Sequence, residues 1–382
     1  MDAASYRLSE TLGKRAIRSL RQAAIHSPDY FQSTGFLTRV ESLDDLVLLL
    51  DVMHDNRFEE FVSELGGLPD EAMAEVVDGF VDYARFFMAN FPSAEVPMPL
   101  SGMLSQYAIA RKLRGIPRRA RVLEIGPGSG LLSFFLGRDR AIERYDQVEA
   151  VESFYLLQSL VNRHVYGHRF LDHAQIDAAA AGLGDIAFEA IRAARDDVLP
   201  NYEAPSSITV DRRPRCEHFP WWRLAEIERR RYDVVTSNAN LTEFNETALR
   251  YYMTLAARVL EPDGVFLVQC PGGGKTPADR MLRTVLTAGF APLAIVPRHI
   301  EDGTARATKL PEGKQMVVAN FVFLLPGHPD FGKTVSSTRL APTLDPSHPL
   351  TRSIFGFDWP KGPARSRQDV LSAVAERLET LD

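Results

Sequence analysis

The stretch Arg121-Val-Leu-Glu-Ile-Gly-Pro-Gly-Ser-Gly-Leu-Leu-Ser-Phe-Phe-Leu136 decides how this chain folds. It begins as a run of apolar residues, continues as a turn rich in glycine, and ends with apolar residues at helical spacing. A strand, a glycine-rich turn and a helix in this order are typical of the nucleotide-binding unit of doubly wound α/β folds. The sequence therefore predicts a cofactor site at this turn.

The spacing of the glycines narrows the class of cofactor. They fall at Gly126, Gly128 and Gly130, whereas the dinucleotide fingerprint G-x-G-x-x-G requires a glycine where this chain has Leu131. Glu124 precedes the first glycine closely and would place a negative charge beside a pyrophosphate, but it suits a cationic cofactor. Both features disfavour NAD.

Residues 121–130 resemble motif I of class I S-adenosylmethionine-dependent methyltransferases, whose cofactor carries a sulfonium and an amino group. The resemblance implies that S-adenosyl-L-methionine is the cofactor and that Glu124, Gly126, Gly128 and Gly130 bind it. Glycines allow backbone amides to approach such a ligand, because no side chain intervenes. The structural alternative is a tight connection without a ligand.

An acidic residue for the ribose is expected near the end of the second strand, Gln147-Val-Glu-Ala-Val-Glu152. Glu152 follows Gly130 at close to the interval of about 20 residues at which doubly wound folds bind ribose hydroxyls. We therefore favour Glu152 for the ribose. Glu149 is its rival if the strand ends earlier, and a solvated glutamate is the structural alternative.

A looser resemblance links the chain to sugar O-methyltransferases. It rests on Asn238-Ala-Asn-Leu-Thr-Glu243-Phe after a strand and on Arg250-Tyr-Tyr-Met in the next helix, with Phe244 where methionine is usual. It covers about residues 105–275, implies a sugar hydroxyl as the methyl acceptor, and places Asn238 among the cofactor-binding residues.

A hydroxyl acceptor benefits from a general base, and two residues are candidates. His218 and Glu243 lie near the carboxyl ends of predicted central strands, where ligands of open α/β sheets bind. A structural histidine beside Trp221 and Trp222 is the alternative for His218, and a helix-capping role is the alternative for Glu243. The tryptophans themselves either stack on the ligand or anchor the core.

Two other sequence patterns are candidates for binding sites. Gly274-Lys275-Thr276 resembles the end of a phosphate-binding loop, but Gln269 stands where that motif needs its first glycine. Arginines at 212, 213, 215, 223 and 229–231 surround the third predicted strand. They are either a solvated surface or a binding surface for a phosphorylated or acidic acceptor.

Hydrophobic patterning divides the chain into three parts. Residues 1–118 carry helical periodicity and predict a helical N-terminal region, for the acceptor or for oligomerisation. Residues 119–328 alternate short strands with helices, interrupted by an insertion at about 167–214, and residues 329–382 form a tail with a final helix. The predicted fold is α/β, Rossmann-like and doubly wound, with a mostly parallel seven-stranded sheet whose last strand is antiparallel.

Composition excludes several function classes. The 382 residues carry a net charge of −6, which gives no general attraction to nucleic acid or to an anionic membrane. No apolar run approaches the roughly 18 residues of a membrane span, and two cysteines are too few for a disulfide framework, so we expect a cytoplasmic protein. Scattered histidines give no convincing metal site, so metal independence is the working expectation; a homo-oligomer remains open.

Three functions compete on these grounds. The first is S-adenosylmethionine-dependent methylation of a sugar or small hydroxylated metabolite. The second is a non-catalytic module that binds S-adenosylmethionine. The third, a NAD-dependent oxidoreductase, is disfavoured by Leu131.

Overall fold

The computed structural model describes residues 3–16, 37–51, 57–116, 120–174, 214–269, 278–297, 308–309, 315–316, 319–331, 349–354, 356 and 358–380. Most of the predicted insertion and the Gly-Lys-Thr sequence lie outside the described residues. Along the chain, the described α-helices are α1 Ala3–Ala16, α2 Val47–Asp51, α3 Phe58–Glu64, α4 Asp70–Asn90, α5 Leu100–Arg114, α6 Ser133–Leu136, α7 Glu152–Tyr166, α8 Leu224–Ile227, α9 Glu246–Val259, α10 Ala278–Thr287, α11 Pro349–Ile354 and α12 Arg367–Glu379.

The described strands form one large sheet and a short two-stranded ladder. They are β1 Ala120–Ile125, β2 Ile142–Glu149, β3 Phe170–Asp172, β4 Cys216–Pro220, β5 Tyr232–Asn238, β6 Leu260–Gln269, β7 Ala291–Pro297, β8 Thr308–Lys309, β9 Gln315–Met316 and β10 Ala319–Leu324. The large sheet has the order β3-β4-β2-β1-β5-β6-β10-β7, and β8 pairs with β9. All described pairings in the large sheet are parallel except those of β10, which runs antiparallel to β6 and β7.

The predicted fold class is confirmed: a mostly parallel, Rossmann-like sheet ends with an antiparallel strand and follows a helical N-terminal region. The sheet has eight strands rather than seven, because the short strand β3 adds an edge beside β4. The chain passes from β1 to β2 on one side and later returns to β5 on the other. Ligands of such sheets bind at this switch point, beyond the carboxyl ends of the strands.

The core is apolar on both sides of the central strands. In β1 and β5, four of the residues that pair are aliphatic and fully buried, namely Val122, Leu123, Val234 and Val235. Strands covered on both faces read as continuous apolar runs, and this is why the sequence pattern located them. Among the described residues no helix has the length and apolarity needed to cross a membrane.

We call the side of the sheet where the parallel strands end the carboxyl edge. Ile125, Glu149, Pro220, Asn238 and Gln269 are the last residues of β1, β2, β4, β5 and β6 there. The glycine turn follows Ile125 directly, so that the fold brings it to this edge. The parallel register therefore collects residues from five distant parts of the chain around the turn.

Candidate active site

The glycine turn adopts backbone angles that other residues rarely reach. The φ angles of Gly126, Gly128 and Gly130 are 66°, 61° and 75°. A Cβ atom on Gly126 would lie 2.1 Å from Nδ2 of Asn240, whereas one on Gly128 would have no atom within 4 Å. The turn is thus packed on one side at Gly126 and open at Gly128.

Asn240, a residue that sequence analysis did not select, holds the turn in place. Its Nδ2 donates to the carbonyl oxygens of Ile125 at 2.6 Å and of Gly126 at 2.9 Å, and its Oδ1 accepts from Ser237. Ala239 before it has a φ of 58°, unusual for a residue with a side chain. An asparagine two residues after a central strand is the signal that could have identified it, since the ends of β1 and β5 meet at the switch point.

Glu124 lies in β1 and is completely buried. Its Oε2 accepts a short hydrogen bond from Tyr145, while Oε1 has no hydrogen-bond partner among the described residues. Burial raises the pKa of Glu124 to about 7, against the opposing effect of the Tyr145 hydrogen bond and with a further contribution from Glu149. The site therefore contains a carboxyl group that holds its proton up to neutral pH unless a cation approaches.

Glu149 occupies the position next to the glycine turn on the neighbouring strand. The amide of Gly126 donates to the carbonyl of Val148, which fixes the end of β2 beside the turn. The Oε1 atom of Glu149 accepts from the amides of the next two residues at 2.7 and 3.0 Å. Gln158 donates to Oε2 of Glu149 at 3.0 Å and to the carbonyl of Gly128 at 2.6 Å, so it joins the carboxylate to the turn.

Glu152 is placed differently from the expectation that it would end the second strand. The strand ends at Glu149, and Glu152 is the first residue of α7. Its carboxylate is buried and accepts hydrogen bonds from Arg7, from Arg39 and from the amide of Val40. The rival position, Glu149, is the one that lies beside the turn, and the assignment of the ribose remains a prediction for both.

His218 lies inside the sheet, short of the carboxyl edge. It stands opposite Gln147 in β2 and Asp172 in β3, with Pro220 still to follow in its own strand. Its fully buried ring stacks on Tyr155 at 3.8 Å between centroids, and Nδ1 lies 3.1 Å from Oγ of Ser159. Burial lowers the pKa of His218 well below its usual value. The histidine therefore packs against α7 as a neutral core residue.

Glu243 lies in the turn that follows β5, where its amide donates to the carbonyl of Asn240 at 2.9 Å. Its carboxylate is partly buried and has no hydrogen-bond or ion-pair partner among the described residues. Burial, together with a smaller contribution from Glu149, raises the pKa of Glu243 to about 7. Asn238, half-buried, ends β5 beside Gln269. The structure thus brings Glu149, Glu243 and Asn238 to one edge. Glu124 lies one residue before the end of β1, in the same row of the sheet as Gln147 and His218.

Three arginines of the predicted cluster, Arg215, Arg223 and Arg230, bind within the protein. Arg215 donates to the carbonyls of Gly137 and Leu136, and Arg223 pairs with Glu226. Arg230 pairs with Asp146 at 2.9 Å and with Glu217 at 2.6 Å. Trp221 is fully buried, as expected of a core anchor. These arginines are therefore engaged in structural contacts, and the edge itself is acidic.

No group of three or more histidine, cysteine, aspartate or glutamate side chains in the described part of the chain is arranged to hold a metal ion. Where the chain is described, the chemistry available at the edge is that of carboxyl groups, amides and the backbone of the glycine turn.

No protein-family model matches the chain, and no curated protein does. Among solved structures, a glycopeptide N-methyltransferase complexed with sinefungin is 16% identical, with 58% of this chain and 94% of that chain covered and a TM-score of 0.30. A TehB-like SAM-dependent methyltransferase from Corynebacterium glutamicum is 11% identical, with 65% and 97% covered and a TM-score of 0.34. A SAM-dependent methyltransferase from Clostridium acetobutylicum is 10% identical, with 64% and 98% covered and a TM-score of 0.32. With identities and TM-scores this low, we infer function from the chain's own residues.

Proposed function

We propose that the protein is an S-adenosyl-L-methionine-dependent methyltransferase that acts on a hydroxyl group of a sugar or another small hydroxylated metabolite. One observation carries this proposal: a glycine turn at the switch point of the sheet is surrounded by buried carboxyl groups. Burial raises the pKa of Glu124, of Glu149 and of Glu243, which means that each carboxylate lacks sufficient compensation by positive charge.

The residues at the carboxyl edge fit this cofactor. Buried Glu124, with an oxygen that has no partner in the described chain, suits a positively charged group near the turn. Glu149 suits the ribose, because a carboxylate can accept hydrogen bonds from two vicinal hydroxyls. The open space at Gly128 leaves room for a ligand against the backbone. A pyrophosphate would add negative charge to this edge, so a dinucleotide fits poorly.

When bound, the cofactor would supply an activated methyl group. The protein's part is to orient the acceptor hydroxyl and to accept its proton, and we assign the latter to Glu243. With a pKa of about 7, this carboxyl group is ionised in a substantial fraction of molecules at neutral pH and remains a competent proton acceptor. Because Arg223 and Arg230 pair with carboxylates of the protein, we favour a neutral acceptor over a phosphorylated one.

Calorimetric titration with S-adenosyl-L-methionine tests the cofactor. We expect binding by the wild-type chain and a loss of at least about 100-fold in affinity for Gly128→Arg, whose side chain would fill the open space beside the turn. Gly167→Arg is the matched control, since Gly167 also has a positive φ of 54° and no atom within 4 Å of an added Cβ, but lies away from the carboxyl edge. Absence of wild-type binding would refute the proposal.

Formation of S-adenosylhomocysteine with a panel of sugars and other hydroxylated metabolites tests the reaction. Turnover with a hydroxylated acceptor, lost in Gly128→Arg but kept in Gly167→Arg, is the expected result. A chain that binds the cofactor and turns over no acceptor would instead be a binding module.

A further inference from the structure

The N-terminal segment, which we define as α1 together with residues 37–46, packs against the carboxyl edge near β2 and β4. The ring of Tyr6 lies 5.1 Å from that of Tyr155 in α7 and 5.0 Å from that of Trp222, which follows β4. Gly13 approaches the same tryptophan so closely that an added Cβ would lie 2.3 Å from the indole ring. The segment is therefore seated on the part of the edge that extends from Glu149 towards Pro220.

Glu152 attaches this segment to the sheet. Nε of Arg7 donates to its Oε2 at 3.0 Å and Nη2 donates to Oε1 at 2.8 Å. Arg39 donates to Oε2, and the amide of Val40 donates to Oε1 at 3.2 Å. One carboxylate thus receives hydrogen bonds from both halves of the segment.

The two halves are also joined to each other. Arg7 donates to the carbonyl of Val40 at 2.7 Å, and Arg39 donates to Glu10 at 2.8 Å. The side chain of Glu152 is only 1% exposed, whereas those of Arg7 and Arg39 are 32% and 33% exposed. A buried carboxylate needs such partners, and separating them exposes it to solvent or leaves it uncompensated. Docking of the segment and pairing of Glu152 are therefore coupled.

The packing of the Tyr6 ring does not account for the position of its hydroxyl group. Its hydroxyl is buried and has no hydrogen-bond partner among the described residues. Burial raises the pKa of Tyr6 well above its usual value, and the nearby carboxylates of Glu10, Glu149 and Glu152 add to the effect. The hydroxyl of Tyr166 also lacks a partner in the described part of the chain, but that of Tyr6 lies beside the expected ligand site, where it is available to hydrogen-bond a ligand.

We propose that the N-terminal segment is the cover of the nucleoside subsite, with Glu152 as its positioning residue and the Tyr6 hydroxyl as the group that hydrogen-bonds the bound nucleoside. This inference rests on the proposed function, because it takes the nucleoside to lie beside Glu149. The ligand enters and leaves when Arg7 and Arg39 separate from Glu152. The strength of this ion pair therefore sets how long the ligand stays bound.

Dissociation of S-adenosylhomocysteine from the full chain, followed by stopped-flow fluorescence, tests the cover. We expect Glu152→Gln and Arg7→Gln each to raise the dissociation rate about 10-fold, because breaking one partner of a buried charged pair acts mainly on dissociation. Raising KCl from about 0.05 M to about 0.5 M should speed dissociation from the wild type only slightly, since Glu152 is buried and only the guanidinium groups are partly exposed, and it should have no effect on Glu152→Gln. Arg7→Gln keeps the test valid if Glu152→Gln folds poorly.

Tyr6→Phe tests the hydroxyl separately. We expect it to weaken binding of S-adenosylhomocysteine about 5-fold, since it removes one hydrogen bond to the ligand and keeps the ring packing. Tyr166→Phe is the matched control, because Tyr166 is also buried but ends α7 away from the carboxyl edge.

The possible outcomes separate the two proposals. If the wild type does not bind S-adenosylhomocysteine, both fall. If it binds but the Glu152, Arg7 and Tyr6 variants all match the wild type, the cover alone is refuted. If Glu152→Gln abolishes binding while Arg7→Gln and salt have no effect, Glu152 contacts the ribose directly, and the cover is again refuted.

Discussion

Carboxyl groups at two places in the same sheet have opposite properties. Burial alone would raise the pKa of Glu217 in β4, but hydrogen bonds from His173 and Arg230 outweigh it and lower the pKa to about 2. Burial of Glu124 and of Glu243 at the carboxyl edge has no such compensation and raises each pKa to about 7. The difference lies in the partners, since all three carboxyl groups are removed from water to a large extent.

This contrast distinguishes a carboxyl group that the protein itself pairs with a cation from carboxyl groups that it leaves without one. Around Glu217 the protein provides its own cation, Arg230, which also pairs with Asp146 in the neighbouring strand. Around the glycine turn the described residues provide hydrogen bonds but no ion pair to Glu124, Glu149 or Glu243. A site that keeps carboxyl groups buried without a cation is suited to receive one with its ligand.

The largest effect that we expect comes from breaking the ion pairs of Arg230 with Glu217 and Asp146. Arg230→Met should lower the free energy of unfolding by about 3–5 kcal/mol, because it leaves buried Glu217 without its guanidinium partner and Asp146 with Arg144 alone. Urea denaturation measures this loss. Affinity for S-adenosylhomocysteine in the folded variant should stay at the wild-type value, and a parallel loss of affinity would contradict the separation of the two regions.

Glu124→Gln alters one of the carboxyl groups that have no ion-pair partner in the described chain. We expect its main effect on ligand affinity rather than on stability. We expect affinity for S-adenosylmethionine to fall about 10-fold, equivalent to about 1.4 kcal/mol, because the variant removes a negative charge next to a cationic ligand. Affinity for S-adenosylhomocysteine, which lacks the sulfonium, should fall less. Calorimetry with both ligands gives the comparison. Equal losses for the two would show that Glu124 does not sense the sulfonium.

The smallest effect is a pH dependence of thermal stability without ligand. Glu124 and Glu243 have a usual pKa of 4.5 and a pKa of about 7 in the fold, so the folded state binds more protons than the unfolded state between these values. Their contribution to stability is therefore present at low pH and is lost as pH rises towards about 7.

Differential scanning calorimetry between about pH 5 and pH 8 measures this contribution. The melting temperature should fall by a few degrees across this range in the wild type. A double variant with Glu124→Gln and Glu243→Gln should show a smaller fall, and saturating S-adenosylmethionine should reduce the fall in the wild type. Identical pH profiles for the wild type and the double variant would exclude these carboxyl groups as its source.

Most strands were predictable because their signals are local. The branched apolar run of β1 identified that strand, which is buried and needs little information from elsewhere in the chain. The edge strand β3 escaped detection because it has only three residues and lies within the segment that was interpreted as an insertion. The start of β2 was also missed, since Glu143 and Arg144 interrupt its apolar pattern at the exposed end.

The candidate site was only partly predictable from the sequence, because some of its residues interact with residues that are far away along the chain. The glycine turn and Glu124 belong to one continuous stretch, so their spacing was enough to select them. The partner of Glu152, Arg7, is 145 positions away in the sequence, and nothing in the local pattern links the two. His218 was selected for its nearness to a strand end, but the register with Gln147 and Asp172 places it inside the sheet.

The direction of the antiparallel strand β10 determines which of its residues lie at the carboxyl edge. Because its direction is reversed, its first residues, and not its last, lie at the carboxyl edge: Asn320 pairs with Gln269 at the end of β6. Asn320 donates to Glu64 of α3, which also pairs with buried Lys112 of α5, and Lys112 donates to Gln269. The first residues of β10 therefore connect the helical N-terminal region to the carboxyl edge of the sheet.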